Sequence, residues 1–200
     1  MEEKNTITLF VNKKFSKIMA STFTKGVTIP LYTGKSIEDI LKNQIGIPES
    51  DVNNRIKTVF IDGHPVDDIS NIIVSPFSTL SLAAAMPGIA GICMGRNSPV
   101  AAFRSDISAA TDNNNHKAEY SNITLKLFNT TIDIAGEYVL KHGLIFSPSE
   151  LKNLLEEKMK LYLNEEIKVE FQGQAISIEA LLSILNELDE DVLFKKFDLN

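Results

Sequence analysis

Cys93 is the only cysteine in the chain, and Arg96 follows three residues later. A nearby cation lowers a thiol's pKa, and the thiolate is the reactive form, so the pair could act as a nucleophile or sulfur acceptor. Between Ile92 and Met94 the same residue also reads as a small packed hydrophobe, the commoner fate of a free cysteine. Gly88, Gly91 and Gly95 lead up to Arg96, and a glycine-rich loop can bring its amides close to a phosphate. The segment lacks a GK[ST] or GxGxxG pattern, so that signal is weak. One cysteine excludes an internal disulfide and a thiolate zinc site. His64, His116 and His142 have no ligand spacing, and no GxSxG elbow is present. Asp67-Asp68 and Asp189-Glu190-Asp191 read as a solvated turn and a solvated helix end. No catalytic residue, metal site or cofactor is expected.

The chain's 200 residues carry a formal charge of −6, so no whole-chain footprint for nucleic acid appears. Residues 1–110 hold 11 Lys/Arg and 10 Asp/Glu, a net of +1, and residues 111–200 hold 9 and 16, a net of −7. That contrast suggests two units with different surfaces. Met1-Glu2-Glu3-Lys4-Asn5 lacks the basic start and apolar core of a signal peptide, which points to the cytoplasm. Ile69 to Gly95 is uncharged and long enough to span a bilayer. Asn71, Ser75, Ser78, Pro76 and Pro87 interrupt it, so a buried strand and a packed loop are the expectation.

Ile7–Val11 and Val27–Tyr32 read as strands, with Pro30 placing the second at an edge or strand end. Ser36 caps a helix over 36–45 that carries Ile37, Ile40, Leu41 and Ile45 and ends at Gly46. Thr58–Ile61, Asp62-Gly63 and His64-Pro65-Val66 form a tight hairpin, and Thr79–Ala83 closes the sheet. Residues 86–104 are glycine-rich and irregular, and a linker falls at 105–120. Ser121 opens a helix reaching His142-Gly143, with a strand at 123–128 as the alternative. Ser147-Pro148-Ser149-Glu150 starts another helix, Gln172-Gly173 turns a hairpin, and Ser177 caps a last helix. No long-period repeat is evident.

The order strand, strand, helix, hairpin, strand resembles the ubiquitin-like β-grasp superfamily. Gly46-Ile47-Pro48, Phe60 through Asp68, and Ser78-Thr79-Leu80-Ser81-Leu82 carry the resemblance, and Met86-Pro87-Gly88-Ile89-Ala90-Gly91 is similar to the tails of bacterial sulfur carriers. The resemblance implies an N-terminal β-grasp domain over 1–104, followed by an acidic, mainly helical domain over 121–200 with a short β-hairpin. Carrier activity does not follow, because 109 residues come after Gly91 and no free C-terminal Gly-Gly exists there. The leading expectation is a non-catalytic protein-interaction module, self-association included, with no nucleic-acid or membrane partner. Its candidate binding residues are Gly88, Gly91, Cys93, Met94, Gly95, Arg96, Phe103 and Arg104, the two arginines forming a rim. The alternatives are sulfur transfer or cofactor biosynthesis through Cys93 and Arg96, and an anion- or nucleotide-binding module at 88–96.

Overall fold

The computed structural model describes residues 5–12, 14–100, 104, 107–109, 117–158 and 166–199. The first part of the chain runs β1 (Asn5–Phe10), α1 (Phe15–Ile18), α2 (Ala20–Lys25), β2 (Val27–Thr33), β3 (Lys35–Ser36) and α3 (Ile37–Asp39). The last of these continues as a π turn over Ile40–Gln44, where Ile45 N donates to Ile40 O at 2.9 Å. Then come α4 (Glu49–Asn54), β4 (Thr58–Ile61), β5 (His64–Pro65), β6 (Ile73–Val74), β7 (Thr79–Ala83) and α5 (Gly88–Met94). The second part runs β8 (Glu119–Phe128), α6 (Thr131–His142), β9 (Leu144–Phe146), α7 (Pro148–Lys158), β10 (Lys168–Phe171), β11 (Gln174–Ile176), α8 (Ile178–Glu187) and β12 (Val192–Phe197).

Ten of these strands form one mixed sheet, ordered β11-β10-β1-β12-β9-β2-β8-β7-β4-β5. The expected N-terminal β-grasp domain with a helical domain after it is therefore not the fold. The strand expected to pair with β2, β1, lies instead between β10 and β12, and β8 from the second part occupies the place between β2 and β7. The helix expected from Ser121 is strand β8 up to Phe128. Ile123, Leu125 and Leu127 are buried in alternation, so the period is two rather than 3.6. Thr79-to-Ala83 pairs in parallel with Thr124-to-Phe128, which makes the sheet continuous across the chain's two parts. Ile69–Gly95 is no bilayer span, because it breaks into β6, β7 and the seven-residue α5. Among the described residues no helix is long and apolar enough to cross a membrane. Most of the expected linker at 105–120 lies outside the described residues.

The chain contains a repeat that its sequence does not display. Each part opens with a strand (β1, β8), then a helical segment ending at a glycine (Gly26, Gly143), then a strand (β2, β9). A serine-capped helix follows in each, with Ser36 Oγ accepting from Asp39 N at 3.2 Å and Ser147 Oγ accepting from Glu150 N at 3.4 Å. Each then turns a hairpin through two positive-φ residues, Asp62-Gly63 (50° and 84°) and Gln172-Gly173 (50° and 79°). A closing strand (β7, β12) ends each. The opening strands are exchanged: β1 runs parallel to β12, and β8 runs parallel to β7. From the seam outward, strand directions in β2-β8-β7-β4-β5 match those in β9-β12-β1-β10-β11 with every sense reversed. A twofold axis normal to the sheet relates these strand layouts; it superposes β8 on β12 and β7 on β1, so opening and closing strands trade places between the two halves.

The seam itself is one pair, Thr28 with Ile145. Beyond it β9 has ended, and the freed edge of β2 is satisfied by side chains. His142 Nε2 lies 2.7 Å from Pro30 O, and Gln44 accepts from Tyr32 N at 2.8 Å and donates to Tyr32 O at 2.9 Å. Pro30 is tolerated in a mid-sheet strand because no strand asks for its missing N–H there. Residues Ile7, Leu9, Ile29, Leu31, Ile123, Leu125 and Phe194 point to one face and are buried. Leu155 and Leu181 of α7 and α8 close over that face, leaving a void of only about 10 Å³. The positions between, such as Thr8, Thr28, Thr124, Lys126 and Lys195, are half-exposed.

Candidate functional site

The segment after β7 is held by two arginines, of which Arg104 is buried. Arg104 Nε donates to Cys93 O at 2.5 Å, Nη1 to Ser108 Oγ at 3.0 Å, and Nη2 to Asp67 Oδ1 at 2.5 Å and Gly95 O at 3.2 Å. Only 3% of Arg104 is exposed, so it is an internal clamp and not the expected rim charge. A guanidinium presents its donors in a fixed fork, which suits one side chain to gathering several acceptors. Arg96 anchors the same segment elsewhere: its backbone N donates to Lys57 O at 2.7 Å and its Nη2 to Val52 O at 3.0 Å. Its Nε and Nη1 are buried and have no hydrogen-bond partner among the described residues. Burial pushes this guanidinium below its ordinary pKa, and the charges of Glu38 and Asp68 oppose the shift.

These contacts make α5 a firmly seated surface helix. Gly91 is required by packing, since a Cβ there would meet Met86 O at 2.3 Å. Gly88 has φ +81° and opens the helix, and Gly95 follows its end. Cys93 and Met94 are half-buried, and Cys93 contributes its carbonyl to the Arg104 clamp. Phe103 lies outside the described residues. The outward residues are Ile89 and Ile92, 83% and 58% exposed, with Ile107 at 48%. Arg104 binds Cys93 and Ser108, the neighbours of Ile92 and Ile107, which draws the two isoleucine-bearing stretches to one guanidinium.

A second surface was not anticipated from the sequence. Tyr32 and Tyr120 are cross-strand neighbours, about half exposed, with ring centroids 5.3 Å apart in an edge-to-face arrangement. Burial raises the Tyr120 phenol above its ordinary pKa. Both rings lie on the sheet face opposite the helices. Two hidden signals were the alternation in Glu119–Phe128 and the pairing of Tyr32 with that strand. Reading Ser121 onward as a helix concealed both. Among the described residues no three His, Cys, Asp or Glu side chains gather as a metal ion would require.

No protein-family model, curated protein or solved structure matches the chain.

Proposed function

We propose that this chain is a non-catalytic protein-binding module whose contact surface is α5 with its flanking turn. The observation that carries this reading is the exposure of Ile89 and Ile92, 83% and 58%, on a helix of seven residues whose backbone is pinned from below. Neighbouring exposed isoleucines on a pre-ordered support favour contact, because little conformational entropy remains to be lost on binding. The arginines that the sequence suggested for orienting a partner support the surface from inside. The local resemblance to ubiquitin-like proteins is not needed for this reading. The test introduces Ile89→Asp with Ile92→Asp into the full chain. Thermal stability is expected to stay within about 0.5 kcal/mol, as for exposed positions generally. Association, read by size exclusion of the chain and by recovery of proteins from its native host, is expected to be lost. Unchanged association by both measures would overturn the proposal.

A further inference from the structure

We propose that the helix-free face of the sheet binds single-stranded nucleic acid. It does so through two equivalent spots that involve none of the α5 residues. Each spot is a lysine, an aromatic ring two residues further along the strand, and a hydroxyl on the parallel neighbour. In one half these are Lys126 and Phe128 of β8 with Ser81 opposite Lys126; in the other they are Lys195 and Phe197 of β12 with Thr8 opposite Lys195. Each lysine stem lies against a bare glycine. The nearest Lys126 carbon is 3.3 Å from the position a Cβ of Gly26 would take, and the nearest Lys195 carbon is 3.2 Å from that of Gly143. Neither lysine has an ion-pair partner among the described residues. The register puts three strand spacings and four residues between the two lysines, a separation of roughly 20 Å.

Charge selects the occupant. On this face the described strands present Lys126, Lys168 and Lys195 against Glu170, and Lys168 also pairs with Glu166 just before its strand at 3.9 Å, so Lys126 and Lys195 are the two cations this face offers. Most of the acid sits on helices and loops, Glu150 and Glu157 among it beside Thr28 at the seam, so the strands of this face are net positive within a chain of −6. An anionic partner is attracted here, and a second copy meeting this face with its own is repelled. The rings decide between anions. Tyr32 and Tyr120 stand half exposed on adjacent strands, next to Pro30 and Asn122, with Thr28 and Thr124 two positions further along. Aromatic rings interleaved with lysines on a sheet surface suit bases that stack and phosphates that pair, without reading sequence.

The experiment is fluorescence anisotropy of a labelled oligothymidylate titrated with the full chain. Saturable binding at low salt is expected, weakening with added salt with a log–log slope of about −1.4 if two phosphates are neutralised. Lys126→Glu with Lys195→Glu should abolish it, and Tyr32→Ala with Tyr120→Ala should weaken it about tenfold at unchanged slope. Circular dichroism and melting confirm that each variant folds. Should the glutamate pair fail to fold, Lys126→Gln with Lys195→Gln should flatten the slope instead. Absence of saturable binding at low salt overturns the proposal, as does binding indifferent to the lysine variants. Displacement by poly-L-glutamate with no effect of the tyrosine variants also overturns it, and makes the face a site for acidic polypeptide.

Discussion

The two ends of the seam between β2 and β9 are equivalent in strand layout and opposite in contents. At one end α6 meets the π turn after α3, and His142 and Gln44 fill the gap. His142 Nδ1 lies 3.0 Å from Gln44 O while Nε2 reaches Pro30 O. Carbonyls only accept, so both contacts are hydrogen bonds when both ring nitrogens carry hydrogen. At the other end α2 meets α7, and the gap stays open as a groove of about 440 Å³. Thr22, Lys25, Thr28, Ile145, Glu150 and Asn153 line it. A shared strand layout leaves the side chains between the strands free to differ. The comparison shows that the sheet is held by exchanged strands and shared helices, since a single bridging pair at the seam could not join two five-stranded halves.

The strongest way to break this view is to cut the chain. Each half takes one inner strand from the other part of the sequence, so neither residues 1–109 nor residues 117–200 alone can complete a sheet. Expressed separately, both pieces should lack cooperative melting. Mixed, they should recover it together with the circular dichroism of the intact chain. A piece 1–109 that melts cooperatively as a monomer would show that the exchange is dispensable.

The twofold comparison is sharpened by its two glycines. Gly26 has φ 121° and ψ 139°, and Gly143 has φ 120° and ψ 145°, a region closed to other residues. A Cβ on Gly26 would meet Thr124 Cγ2 at 2.9 Å, and one on Gly143 would meet Leu193 Cδ1 at 2.8 Å. Gly26→Ala and Gly143→Ala should therefore each cost about 3 kcal/mol, strain and crowding combined. Urea denaturation measures both losses. Values that differ by several-fold would mean that the two sites are alike in shape only.

Local chemistry was largely legible in the sequence, whereas the pairing of distant segments was not. Ser36, Ser147 and Ser177 cap helices as their spacing predicts, and Asp62-Gly63 and Gln172-Gly173 turn hairpins, because caps and turns are decided within four residues. The place of β1 is decided instead by which apolar face completes β12, 187 residues away in sequence, and no short pattern encodes that. The β-grasp element order implies a β1–β2 pair, which the sheet does not contain. Of the candidate site, the glycines and arginines could be named from the sequence as one segment. Their roles were not legible, because Arg104 finds its partner Asp67 across 37 residues. The repeat is not legible in the sequence for a related reason: it is written in capping, turn and glycine positions and not in matching side chains.

The smallest expected effect concerns the helix-covered face, where the two halves differ in kind. The register makes Lys196 of β12 the counterpart of Leu127 of β8, and both are essentially buried, at 1% and 0% exposed. Lys196 Nζ donates to Glu137 Oε2 at 3.0 Å and to Asp198 Oδ1 at 2.8 Å. Glu137 also accepts from Ser16 N at 2.8 Å, so the lysine helps tie α6, β12 and α1 together. Lys196→Leu, which copies the other half, removes a buried charge and leaves Glu137 without its cation. Both carboxylates keep some contact with water, so the loss should be only about 1–2 kcal/mol, below that of a fully buried pair. The hydrogen bond from Lys196 is the main reason Asp198 is held below the usual carboxylate range. A lowered folded-state pKa contributes stability above the unfolded value, about 3.9, and that stability is lost as pH falls through the folded value. Asp198 is 57% exposed, so this contribution is small. Melting temperatures measured from neutral pH down through the carboxylate range should therefore fall less steeply for Lys196→Leu than for the parent chain. Parallel curves would place the Lys196–Asp198 contact outside the forces that hold β12, and would leave Glu137 as the only reason for a lysine at that position.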